Sequence, residues 1–226
     1  MAIQFSDYIP DVAVVVGNCP ELSIENALRS SVVEFAERSE VSQATKNIST
    51  TVGQNTYSIP AGTSYIHKVL WATYKGKEIE PVTEALLNDR VPGWSVDGQT
   101  GDPQYYFTTG LNPMEIVVWP SPETTDHNLS VRVVTKPTKS TTSGPDDAML
   151  PFKDAIVNGA IQRLLRIPNK DWSDLTAASV YQKLFMQGCE EAKLLMKPNR
   201  PIARKVNYGG VAGAWRTRRG RYGQGG

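Results

Sequence analysis

Histidine and cysteine are scarce in this chain, with two of each among 226 residues. Cys19 and Cys189 stand far apart in sequence, which argues against a disulfide framework and for reduced thiols used in packing. His67 lies in "YIHKVLW", alternating with apolar neighbours, and His127 lies in the polar turn "TTDHN". Neither has a cysteine or carboxylate at metal-ligand spacing, so no usual zinc site is expected, and each is read as structural or solvent-facing. No glycine-rich loop precedes a Lys-Ser/Thr pair to cradle phosphate, and no Gly-x-Ser-x-Gly elbow occurs. The carboxylates of "GDPQYYF" and "SPETTD" sit in turn-rich strings without a paired acid and read as surface acids. Catalytic residues, metals and cofactors are therefore all expected to be none. Long apolar runs are missing too: "VAVVV" at 12–16 is far below spanning length, and no cationic segment with an apolar run follows Met1. Neither an export signal nor a membrane partner is expected, and no internal repeat is visible.

Charge is unevenly placed. Seven of the 24 lysines and arginines lie beyond Lys197, at Arg200, Arg204, Lys205, Arg216, Arg218, Arg219 and Arg221, together with none of the 23 acids. Residues 198–226 thus carry +7 and residues 1–197 carry −6, within a total of +1. A basic end on an acidic body seeks an anionic surface, which includes the body of another copy. The end itself, "VNYGGVAGAWRTRRGRYGQGG", has too little apolar surface to offset its ordering entropy alone.

The rest of the chain reads as helices, then strands, then helices. In residues 1–46, Ile24, Ala27, Leu28, Val32 and Phe35 repeat in steps of three and four. Ser23 is the expected N-cap of that helix. A shorter helix starting near Ser6 ends in a Gly-Asn-Cys-Pro turn. Residues 47–136 hold about six short strands rich in β-branched and aromatic residues, punctuated by turn strings, which predicts an antiparallel sandwich or small barrel. Lys75-Gly76 reads as a tight hairpin, and a short helix is expected near Thr83–Leu87. Residues 137–147 read as a linker. Residues 148–197 return to helices, the first carrying Ile156, Ala160, Leu164 and Ile167. The second carries Ala177, Val180, Leu184, Gly188, Glu191 and Leu195 at helical spacing, with Ser173 as cap and Trp172 stapled on Ala177. The fold class is α+β: a helical bundle of the N- and C-terminal helices, an inserted antiparallel β domain, and the extended basic tail at 198–226. Glycine costs about 1 kcal/mol against alanine inside a helix, so Gly188 and Gly159 mark a close helix crossing.

The order of these stretches resembles the head-to-tail adaptors of short-tailed bacteriophages, the tail tubular protein A family. The likeness runs through "GNCPELSIENALRSSVVEFAERS", "GQNTYSIPAGTSYIHKVLWATYKGKEIEPVT", "WSVDGQTGDPQYYF", "VVWPSPE", "LSVRVVTKPT" and "NGAIQRLLRIPNKDWSDLTAASVYQKLFMQGCEEAK". It covers roughly residues 5–197 and is weakest in the tail. The resemblance implies a structural virion protein at the head–tail junction, made in the bacterial host cytoplasm. It implies a ring of twelve copies between the portal protein and the tail nozzle protein, with genomic DNA passing through the lumen. The helices would face the portal and the β region the nozzle. The tail would then be a portal-docking strap, with Tyr208, Trp215 and Tyr222 as aromatic anchors and its arginines paired to acidic grooves. Two other classes compete: a nucleic-acid binder using "WRTRRGRYGQGG" as an arm, and a hydrolase on the β scaffold, for which no constellation speaks.

Overall fold

Proline and left-handed turns set most of the element boundaries. The computed structural model describes residues 2–62, 64–96, 98–110, 114–125, 128–138, 142–145 and 149–196. It divides the chain into two units, Met1–Met196 and Lys197–Gly226; the second, with the whole tail, lies outside the described residues. Among the described residues are five α-helices: α1 (Ile9–Val15), α2 (Glu21–Ser39), α3 (Glu84–Arg90), α4 (Lys153–Leu165) and α5 (Leu175–Met196). The protein is a mixed α+β fold with a curled, mostly antiparallel sheet.

On α2 the stripe Ile24, Ala27, Leu28, Val32 and Phe35 is buried throughout. The cap is not Ser23 but Pro20, whose carbonyl accepts from the Ser23 and Ile24 N–H groups at 2.8 and 3.2 Å. Proline's fixed φ and missing donor suit the edge of a helix, so α2 starts earlier and Ser23 falls in its first turn. It ends at Glu40, held in the left-handed region at φ 55°. Helix α5 likewise starts from a different residue than expected. The Asp174 carboxylate accepts from the Thr176 and Ala177 N–H groups, both at 2.9 Å, while the Ser173 hydroxyl points back to the Leu165 carbonyl at 3.4 Å. With Asp174 at the cap, Trp172 stands two residues before it and outside the staple position; both it and Ala177 pack against the helical core.

The face of α5 is the main correction. Its buried residues are Ala178, Phe185, Cys189 and Ala192, whereas Val180, Leu184 and Leu195 are 53%, 43% and 73% exposed. Two apolar stripes wind along this helix, and periodicity cannot choose between them. Phe185 decides, because it fills the gap left by Gly159 on α4.

Seven strands form one sheet in the order β2 (Gln43–Ser49), β10 (Asn128–Lys136), β4 (Tyr65–Tyr74), β5 (Lys77–Pro81), β7 (Tyr105–Thr109), β8 (Glu115–Trp119), β3 (Thr56–Ser58). The expected sandwich or barrel is replaced by this open half-barrel. Strands β5 and β7 run parallel, because the long crossover through α3 returns the chain beside β5 in the same direction. The β4–β5 hairpin turns on Lys75 and Gly76, both at positive φ (51° and 77°). The first strand of the sheet starts at Gln43, four residues before Asn47. Within the expected linker, β11 (Ser143–Pro145) pairs with β1 (Ala2–Gln4). A further parallel pair joins β6 (Thr100–Gly101) to β9 (Ser121–Pro122).

Alternation along β7 and β8 feeds two cores. Tyr106, Ile116 and Val118 join the concave core with Ile79, Leu129, Val131 and Val133, and Phe107 and Val117 turn to Leu87 and Trp94 beneath α3. A third core unites α1, α2, α4 and α5. Helices and sheet meet at the end of α2, where Glu40 binds Lys68 of β4 at 2.5 Å and Lys193 of α5 at 3.8 Å, and Glu37 pairs with Lys136 of β10. The corrected cap is testable: Asp174→Ala is expected to cost about 1 kcal/mol and Ser173→Ala clearly less, read by thermal denaturation.

Candidate functional site

The positions that organise this molecule are places of close approach, not reactive groups. On α4, a Cβ at Gly159 would lie 2.6 Å from the Phe185 ring and closer still to the Ser31 hydroxyl, so α2, α4 and α5 meet at one point. The Ser31 hydroxyl donates to the Ile156 carbonyl at 2.6 Å. Arg163 donates to the Gly159 carbonyl at 2.7 Å, pairs with Glu34 of α2, and lies 5.9 Å over the Phe185 ring. Glu34 also accepts from Arg38 at 2.6 Å. The contact between α2 and α4 is thus clamped by a half-buried charge network, which sequence reasoning missed because Arg163 and Glu34 lie on different helices.

Gly188 has a different neighbour. A Cβ there would overlap the Ala155 methyl, so α5 and α4 touch through Gly188 and Ala155, and Gly159 and Gly188 do not face each other. Beside this contact opens a cleft of about 230 Å³ lined by Phe152, Asp154, Ala155, Leu184, Gly188 and Glu191. Trp172 lies apart, with Lys170 5.9 Å from its ring. The ten tail residues from Arg200 to Tyr222 named above lie outside the described residues, as does His127.

His67 is half-buried in β4, and among the described residues no group of three or more His, Cys, Asp or Glu side chains could hold a metal. Asp102, one of the loop acids, pairs with Lys75 at 2.7 Å and holds its ammonium pKa above the usual value. Both cysteines are free. Burial pushes the Cys189 thiol up to about 12, and it also raises Cys19. Among the described residues, no helix is long and apolar enough to cross a membrane.

What the fold and its contacts define is a mixed α+β protein whose special residues serve packing. Residues 3–205 match the family of SU10 adaptor proteins, and the chain belongs to that family. It is a phage adaptor, a structural and virion-associated protein. No curated protein matches the chain. The family match stops at Lys205, leaving the glycine-, arginine- and aromatic-rich run 206–226 beyond it.

Two outcomes follow from this geometry. Gly188→Ala gains helix propensity of about 1 kcal/mol but overpacks against Ala155 at a cost of roughly 1–3 kcal/mol, so a net loss is expected. Adding Ala155→Gly moves the methyl to the other helix and should recover stability, seen as positive coupling in a denaturant double-mutant cycle. A thiol with pKa near 12 carries almost no thiolate at pH 8, so iodoacetamide should label Cys19 in the native protein and Cys189 only on unfolding, as mass spectrometry would show.

Proposed function

We propose that this chain is the ring-forming head-to-tail adaptor of a short-tailed phage, of the tail tubular protein A kind. It joins the portal to the tail nozzle and extends the DNA channel for genome retention and ejection. The observation that carries this reading is the family match across residues 3–205. Twelve copies form the ring, with the helices toward the portal and the curled sheet toward the nozzle. The acidic balance of residues 1–197 suits a conduit, since a lumen of like charge repels the DNA backbone and lets it slide.

Residues 198–226 serve as the strap that docks on the portal. Twenty-nine residues drawn out at ~3.3 Å each reach on the order of 95 Å, enough to climb a neighbouring ring. The glycines admit close backbone approach, and Tyr208, Trp215 and Tyr222 anchor between arginines that pair with acidic grooves.

Electron microscopy of the full chain mixed with portal rings tests the reading, and rings of adaptor seated on the portal are the expected result. Truncation after Lys197 should weaken docking; unchanged affinity would refute the strap. Steeply salt-dependent binding of free DNA by the monomer would move the tail to the nucleic-acid class instead.

A further inference from the structure

We propose that the last turn of α2 carries a salt-sensitive latch that sets the angle between the helical layer and the sheet. The helical core and the concave core of the sheet share no residue among those described. The chain crosses between the two at residues 40–42 and again between Lys136 and Met149, and α2 meets the sheet mainly at β10. At the first crossing Val41 is buried in the helical core. The next residue belongs to the sheet: the Ser42 carbonyl accepts from the Thr135 N–H of β10 at 2.8 Å, and its hydroxyl lies 2.9 Å from the Thr135 hydroxyl. One peptide link thus separates a residue held by the helices from one held by the sheet, which makes it the pivot.

Glu40 stands immediately before that pivot, in the left-handed conformation that ends α2. Glycine is the usual residue at such a helix end, because a Cβ makes this backbone costly. The glutamate instead gives the last turn a carboxylate, whose Oε1 meets Lys68 of β4 at 2.5 Å and Lys193 of α5 at 3.8 Å. One turn earlier on the same helix, Glu37 pairs with Lys136 of β10. Two carboxylates and three ammonium groups from α2, α5, β4 and β10 therefore converge on the joint.

All five of these side chains reach solvent, with exposures between 19% and 44%. Charges this open to water attract each other weakly and are screened by salt. Weakness is what a latch needs if it is to open while the layers on either side stay folded. Each layer keeps its own core when it does, so the angle between helices and sheet changes without unfolding. The latch belongs to the single chain and does not rest on the ring reading.

Spin-label distances in the full chain test this, with Cys19→Ser, Asn26→Cys on α2 and Lys77→Cys at the start of β5. Both labelled positions are exposed, and Cys189 is buried. One narrow distance is expected at low salt, and a second, displaced population in concentrated sodium chloride. Glu37→Gln with Glu40→Gln should raise the ratio of the second population to the first about tenfold already at low salt. Glu40→Gly, which suits the left-handed backbone, should keep or raise the thermal midpoint and still show the second population. Glu40→Lys with Lys68→Glu restores an opposite-charge pair and should recover the single narrow distance. A single unchanged distance in salt, in the uncharged variant or in Glu40→Gly would overturn the latch. Failure of the charge exchange to recover it would mean that backbone and not charge sets the angle, which overturns the proposal as well.

Discussion

Phe185 occupies the space that a side chain on residue 159 would fill, and this one exchange of volume sets the helical half of the molecule. Burying a phenylalanine fully is worth about 1.5–3 kcal/mol, but only if the facing surface admits it. Gly159 admits it at the cost of helix propensity, and Ser31 completes the fit from α2 while satisfying its hydroxyl on the Ile156 carbonyl. The rotation of α5 follows. Once Phe185 points inward, Cys189 and Ala192 must follow it, and Val180, Leu184 and Leu195 must face out. Arg163 and Glu34 then close over the ring from outside the core. Their partial exposure makes them a clamp on geometry more than a source of stability.

The sheet is joined to this assembly through the end of α2. Glu40 holds a left-handed backbone, unusual for a residue with a side chain, and its carboxylate serves cations from both β4 and α5. One residue therefore ties the last turn of α2 to the sheet and to the far helix. Away from that junction the half-barrel depends on its own cores, with the β7–β8 ladder shared between the concave side and the small core under α3.

A phage adaptor assembled this way does its work through surfaces. In such a protein no single group has to be strongly perturbed. The high thiol pKa of Cys189 fits that character, because burial has made it an inert packing atom. The apolar stripe of Val180, Leu184 and Leu195 on α5 has the opposite fate: it stays exposed.

Sequence by itself determined what depends on neighbours a few residues away. The stripe on α2, the Lys75-Gly76 turn, the short α3 behind Thr83 and the α–β–α order could be read directly, because helix period, turn chemistry and strand composition act locally. The ordered motifs also pointed to a phage adaptor, since a family likeness is a property of the string. Tertiary structure decided what depends on contacts between distant residues. Which of two stripes on α5 is buried was settled by Gly159, on another helix. The sheet stays open because its edge strands β2 and β3 do not pair with each other, and they are set apart by long-range pairing, not by local pattern. Pro20 and Asp174 capped their helices in place of nearby serines, because the cap goes to whichever group the incoming chain brings within reach of the free N–H groups. The cleft beside Gly188 exists only where two helices meet, so no window of sequence contains it.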